Sequence, residues 1–542
     1  NADGTARGGE FLVNTTTESN QDRSSVAGLS DGGFVATWVD QSETGADTND
    51  KAIRGQAYNA DGTARGDEFL VNTTTEDRQD DPSVTGLSDG GFVATWRDNS
   101  ETGADTSKGT SGLDTGAIRG QAYNADGTTR GDEFLVKTTT EGSQGKPSVA
   151  GLSDGGFVAT WVDQSETGAD TNDKAIRGQA YNADGTARGD EFLVNTTTED
   201  RQDDPSVTGL SDGGFVATWR DNSETGADTS KGTSGLDTGA IRGQAYNADG
   251  TTRGAEFLVN TTTESGQFAP SATGLSDGGF VATWTDRSRT GEDTSSEAVR
   301  GQTYNADGTT RGDEFLVNTT TESGQHTPSV AGLSDSSFVA IWEDESETGA
   351  DTSGWAVRGQ AYNADGTARG GEFLVNTTTE RIQSTPSVAG LSDGGFVATW
   401  SDFSDFGNLA DPGIVGIRAQ VFDSKTTDPT NQAPVASDDT ATTTSDEAVA
   451  IDVLANDSDA LSIQSPGNPA NGTVSITDTD ELRYTPDTGF SGTDSFAYTI
   501  LDGEGSMDTA TVTVEVTEET TEEPQGDRPM IGESDDFKTV QH

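Results

Sequence analysis

The amino-acid sequence predicts an all-β chain, a seven-bladed β-propeller followed by a small β-sandwich. Three observations carry this. The decapeptide LSDGGFVATW at Leu29–Trp38 recurs at Leu87, Leu152, Leu210, Leu275 and Leu391, and in altered form, LSDSSFVAIW, at Leu333–Trp342. The turn motif NADGT begins at Asn1, Asn59, Asn124, Asn182, Asn247, Asn305 and Asn363, a spacing of 58 or 65 residues within or just above that of propeller blades. From about Ser424 the repeats stop and a different set of alternating strands begins.

Each repeat supplies four strand candidates, which in the second are Glu68–Asn72, Ser83–Ser88, Gly91–Asp98 and Ile118–Tyr123. Asp-Gly-Gly provides the residues that a two-residue hairpin turn needs at positive φ. After it, Phe34, Ala36 and Trp38 alternate with Val35 and Thr37, the period-two pattern of a strand. Residues 59–123 and 182–246 are identical, and the difference between short and long repeats falls in the loop after the Trp strand, where length is tolerated. Four-stranded blades in a ring leave only short sheet edges; a linear β-solenoid is the runner-up, although its turns are usually shorter. The first EFLVN, Glu10–Asn14, lacks a preceding partner strand and Ile417–Phe422 lacks a following one, so the two are expected to pair and close the ring.

The expected boundaries are residues 1–423 for the propeller, 424–434 for a Pro- and Thr-containing linker, 435–516 for the sandwich and 517–542 for an acidic tail or linker. In the sandwich the strand candidates are VAIDVL, TVSI, LRYTP, DSFAYTI and TATVTVEV.

The chain has 542 residues and no Cys, which excludes disulfides, thiolate metal sites and thiol nucleophiles. No apolar run approaches the roughly 18 residues of a membrane-spanning helix. No signal peptide is visible, and because Asn1 opens inside a repeat a mature product or a fragment is expected. The net charge of −61 repels nucleic acid and anionic lipid, and it calls for bound cations or screening salt.

The Asp-rich loop after each Trp strand is the candidate metal site. Asp40, Glu43 and Asp47 recur as Asp98, Glu101 and Asp105, as Asp163, Glu166 and Asp170, and as Asp221, Glu224 and Asp228. Calcium takes six to eight oxygen ligands in flexible geometry, which Gly-containing acidic loops supply, although the spacing is not that of an EF-hand. A solvated acidic loop is the competing reading. Arg54 and its equivalents read as structural partners of the Asp after each Trp, and the Trp series as blade-packing core. Trp355, outside that series, is the better candidate for an exposed contact, and His326 is expected to be exposed. NTTT reads as a Thr-rich strand end. Nearly copied blades with two His in the whole chain do not present the unique acid–base set that catalysis needs.

The segments DVLANDSD at Asp452–Asp459, YTPDTGFSGTDSFAYTILDGEG at Tyr484–Gly505 and DTATVTVEV resemble cadherin-like or bacterial immunoglobulin-like modules of large secreted bacterial proteins. The repeats resemble those that accompany such modules in surface or type I-secreted adhesins. The resemblance implies an immunoglobulin-like fold for the sandwich, an extracellular or cell-surface location, and calcium at Asp457 and Asp459, with Asp438, Asp439 and Asp502 as similar candidates. The expected function is non-enzymatic binding, adhesion and spacing, with repeated, calcium-dependent sites. Its partners would be an extracellular glycan, matrix component or surface protein, with self-assembly compatible and membrane insertion not expected. The alternatives are an extracellular polysaccharide hydrolase on a propeller scaffold and a structural fibre or sheath subunit.

Overall fold

The structure, a computed structural model, describes residues 4–100, 116–138, 142–167, 174–223, 239–404, 415–423, 435–458, 462–477, 481–501 and 507–518. It divides into two units, Asn1–Thr426 and Thr427–His542.

The first unit holds seven four-stranded antiparallel sheets. The first sheet, innermost strand outward, consists of Gln21–Gly28, Phe34–Asp40, Ala52–Tyr58 and Ala64–Leu70. The second to sixth repeat this order, with innermost strands Gln79–Gly86, Gln144–Gly151, Gln202–Gly209, Gln267–Gly274 and Gln325–Gly332. The seventh is built from both ends of the unit: Gln383–Gly390, Phe396–Asp402 and Gly416–Phe422 are completed by Ala6–Leu12. Ala6 pairs with Phe422 and Leu12 with Arg418, and the Val13 amide donates to the Ile417 carbonyl at 2.7 Å, so the expected closure is present. Each innermost strand touches those of the sheets before and after it, the last meeting the first, which makes a propeller-like ring.

The outermost strand begins and ends earlier than the sequence predicts, at Ala64–Leu70 in place of Glu68–Asn72. The hairpin before it sets this register. Leu29 and Asn59 each open a three-residue loop, not the expected two-residue turn. The Gly32 amide donates to the Leu29 carbonyl, the Leu29 amide to the Gly33 carbonyl, and Gly32 sits at φ 93°. That is a type I turn followed by a left-handed glycine. Asp31 braces it, accepting from the Gly33 amide at 3.0 Å and from Arg65 Nη1 at 2.6 Å.

The Trp strand is buried throughout in the first sheet, and all seven series tryptophans have no exposed surface. Trp38, Phe34 and Ala36 pack in one cluster with Val397, Ile417 and Ala419 of the seventh sheet, so the apolar face of each sheet is covered by its neighbour. Tyr58 stacks on Phe34 at 4.9 Å and donates its hydroxyl to the Val13 carbonyl of the seventh sheet at 2.8 Å. At the axis, seven glycines set the spacing. A Cβ on Gly28 would lie 2.2 Å from the Gly390 carbonyl oxygen, and one on Gly86 would lie 2.2 Å from that of Gly28. Only glycine lets the innermost strands approach this closely.

The second unit contains one sheet ordered Asp439–Thr444, Met507–Thr517, Gly492–Leu501, Ser462–Pro466, and another ordered Val449–Ile451, Leu482–Pro486, Gly472–Ile476. Its core gathers Val453, Leu482, Tyr484, Phe496, Tyr498, Val512 and Val514. The predicted strand VAIDVL is strand only over Val449–Ile451, and Val453–Asn456 forms a 3₁₀ turn.

Candidate functional site

The repeated polar residues of the ring form a structural lattice. In the second sheet, Arg119 Nε donates to Asp98 Oδ2 at 2.5 Å, and Arg119 Nη1 lies 3.1 Å from Glu133 Oε1. The same Asp–Arg–Glu triad forms in all seven sheets, from Asp40, Arg54 and Glu68 to Asp402, Arg418 and Glu10. The expected pairing of Arg with the Asp after Trp is therefore present, with the Glu of EFLVN as a third member.

That Glu also ties one sheet to the next. Glu133 accepts from the Thr73 amide at 2.7 Å and from the Thr74 hydroxyl at 2.5 Å, both in the segment that follows the first sheet. Asn72 accepts from the Ile53 amide at 2.8 Å and donates to Gln79 Oε1 at 3.3 Å, and Gln79 donates to Asp98 Oδ1 at 3.1 Å. The network thus returns to the triad. NTTT is accordingly more than a strand end: Asn organises the connection and the next two Thr clamp the neighbouring sheet's Glu. The recurring Asn-Thr-Thr was a visible signal, but its partner lies 52, 53, 59 or 60 residues away, and 367 or 368 across the seam. Burial would raise the Glu133 carboxyl, but hydrogen bonds from Thr74 and Thr73 outweigh it and hold the group below its usual range; Glu68 and Glu256 behave alike.

This lattice occupies many of the residues singled out as calcium ligands. Asp40, Asp98, Asp163 and Asp221 are buried beside their arginines. Asp47 is buried and accepts from Asn72 Nδ2 at 2.8 Å. Glu43 and Glu166 are exposed, at φ 52°. Glu101, Asp105, Asp170, Glu224, Asp228, Asp459 and Asp502 lie outside the described residues. Asp457 accepts from the Ser437 amide at 2.7 Å, and the Tyr498 hydroxyl stands 2.9 Å from Asp439 Oδ2 and 3.3 Å from both Asp457 oxygens. Burial, and then the nearby Asp457 charge, push Asp439 upward against the Tyr498 hydrogen bond. Among the described residues no three acidic or imidazole side chains converge as a metal site.

His326 is not exposed as expected. Its side chain is 13% accessible, with Nε2 3.2 Å from Glu345 and Nδ1 3.5 Å from the buried Glu343. Trp355 is half-buried, edge-on to the His326 ring at 5.4 Å. Glu343 Oε1 accepts from the Thr385 amide of the seventh sheet at 2.7 Å.

Two axial cavities follow the sevenfold pattern. One of about 520 Å³ lies at the SDGG-turn end and is lined by Gly28, Leu29, Ser30 and their equivalents. A second, about 340 Å³, is lined by Val26, Ala27, Gly28 and their equivalents, with Thr replacing Ala in three sheets. Among the described residues neither lining includes a titratable side chain.

Residues 431–515 match the family model described as a bacterial Ig domain. The chain is 40% identical over 82 residues to Protein GAMETE EXPRESSED 2 of Arabidopsis thaliana, an alignment covering 15% of this chain and 9% of that protein. Among solved structures it is similar to a protein of unknown function from Dyadobacter fermentans (11% identity, TM-score 0.42, 76% of this chain and 97% of that one). It is also similar to the NanB sialidase of Streptococcus pneumoniae (9% identity, TM-score 0.39, 76% of this chain and 70% of that one). The Ig-like character of the second unit is thus shared with known proteins, over residues 431–515. No helix among the described residues is long and apolar enough to cross a membrane.

Proposed function

We propose that this is an extracellular or cell-surface binding protein, with the ring as a rigid scaffold and the Ig-like unit as a spacer. One observation carries the reading: the repeats differ chiefly at one end of the ring. The turn end keeps SDG and NADGT almost unchanged. At the opposite end, the residue after the opening Gln of each innermost strand is Asp22, Asp80, Gly145, Asp203, Phe268, His326 and Ser384 in turn. The residue after each Trp is Val39, Arg97, Val162, Arg220, Thr285, Glu343 and Ser401. A conserved lattice beneath a varied surface suits one composite recognition face better than seven copies of a weak site. The partner that fits is an extracellular glycan, matrix component or surface protein. The axial linings, free of titratable side chains, support binding over a hydrolase working in the central depression.

Calcium belongs to this reading in the second unit, where Asp439 and Asp457 converge on one hydroxyl with Asp438 nearby, a carboxylate excess that a hard cation relieves. The test is capture of the full chain on glycan and matrix-protein surfaces, with and without chelator. Trp355→Ala and Lys146→Glu should abolish capture, and Ser153→Ala at the turn end should leave it intact. The reverse pattern refutes the recognition face, and capture indifferent to chelator refutes the calcium component.

A further inference from the structure

The second, third and fourth sheets meet around a cavity of about 150 Å³ lined by Asp81, Arg97, Lys146, Lys174 and Asp203, with Gln164 and Gly145 among the neutral residues. Three cationic side chains face one small space in a chain of net charge −61. We infer that this cavity is an oxyanion site that receives the carboxylate or sulfate group of an acidic sugar.

The carboxylates of the lining already have partners. Asp81 accepts from Arg23 at 2.6 Å, and Asp203 lies 2.7 Å from Lys174 Nζ and 3.0 Å from Lys146 Nζ. Lys146 is also bonded to Asp204. Arg97 differs. Its Nε is shielded from solvent and donates to no atom of the described residues. The buried Asp80 stands opposite it across the strand pair; burial and then Asp81 push that carboxyl upward, with Arg97 pulling the other way. A buried guanidinium N–H without an acceptor is costly, and a planar oxyanion is the partner its geometry fits. The volume is about five times the roughly 30 Å³ share of a water molecule, enough for one charged group and not for a whole glycan.

The neighbouring sheet creates the site. Gly145 leaves the space beside Arg97 open: a Cβ there would only touch Arg97 Cδ, at 3.4 Å, and the larger side chain that fills the equivalent position in the fifth sheet, Phe268, is missing. Arg220 occupies the same place as Arg97 in an identical stretch, residues 182–246 against 59–123. The residues equivalent to Gly145, Lys146 and Lys174 in the fifth sheet are Phe268, Ala269 and Glu297, and the Arg220 guanidinium carbon stands 6.0 Å from the Phe268 ring. The Arg220 Nε is shielded from solvent in the same way, so what sets the two apart is Lys146 and Lys174 around Arg97, with Ala269 and Glu297 at the equivalent positions of the fifth sheet.

This inference deepens the recognition-face reading and rests on it. The test titrates the full chain with glucuronate, sulfate and glucose by calorimetry at constant ionic strength in chloride. Glucuronate and sulfate should bind saturably and glucose should not. Arg97→Gln should weaken both anions at least tenfold, and Arg220→Gln should change neither. Absence of saturable anion binding, equal binding of glucose, or equal losses in the two variants overturns the site. Sulfate binding without glucuronate binding keeps the oxyanion site and overturns the sugar-acid ligand. A selenate soak read by anomalous diffraction needs no variant: a peak within hydrogen-bonding distance of Arg97 supports the site, and its absence there refutes it. Glycan capture that survives Arg97→Gln removes this site while leaving the recognition face standing.

Discussion

At the scale of the residue, the Asp–Arg–Glu triad shows how a buried ion pair is made tolerable. Asp98 has no exposed surface, and Arg119 and Glu133 are nearly as enclosed. Removing two charges from water costs several kcal/mol each, and the cost is met only where the remaining donors and acceptors are satisfied. Here Gln79, Ser100, Thr73 and Thr74 satisfy them. Arg119→Met should therefore leave two buried carboxylates without a cation and cost about 3–5 kcal/mol in denaturant unfolding. A loss below about 1 kcal/mol would mean that the triad behaves as an exposed pair.

At the scale of the element, two devices hold the ring together, glycine contacts at the axis and a shared sheet at the seam. A Cβ at residue 151 would stand 2.5 Å from the Gly86 carbonyl oxygen, closer than atoms pack, so Gly151→Ala must spread two innermost strands. The expected cost is about 1–3 kcal/mol, read as a lower unfolding midpoint at an unchanged denaturant slope. Removing residues 1–16 strips the seventh sheet of its outer strand and leaves Gly416–Phe422 as a bare edge. Light scattering should then show concentration-dependent association that the intact chain lacks. Unchanged scattering and melting would place the seam's stability elsewhere.

At the scale of the whole molecule, acid should act in two opposite steps. Asp22, Asp47, Asp80, Asp351 and Glu343 are raised chiefly by burial. The folded state takes up protons at these groups at higher pH than the unfolded chain does, so stability rises as pH falls toward the ordinary carboxylate range, about 4. Neutralising part of a −61 charge acts in the same direction. Glu68, Glu133, Glu256 and the turn residues Asp31 and Asp89 are lowered, so their contribution is present above that range and is lost as pH falls through their folded values. Melting temperature should pass through a maximum near pH 5 and fall steeply below about pH 4. A monotonic fall from pH 7 downward would show that the lowered groups dominate throughout.

Local chemistry and exact repetition account for everything that could be read along the chain. The period of NADGT announced the ring, the alternation around Trp38 its buried strands, and the unpaired EFLVN at Glu10–Asn14 the closure. These depend on neighbours within a few residues or on counting. Which carboxylates are free and which are spoken for was decided by the tertiary structure alone. Asp40 and Asp98 look like loop ligands in one dimension, but the pleat points them at Arg54 and Arg119 on the adjoining strand. The three-residue turn moved the outer strand by several residues and brought the Glu of EFLVN under the previous sheet's Thr pair. Arg97 and Arg220 mark the limit most plainly. Their surrounding sequence is identical, and they differ because Gly145, Lys146 and Lys174 share a cavity with one while Phe268 stands beside the other. A side chain's chemistry is written in its own residue, but its electrostatic surroundings come from whatever the fold packs against it.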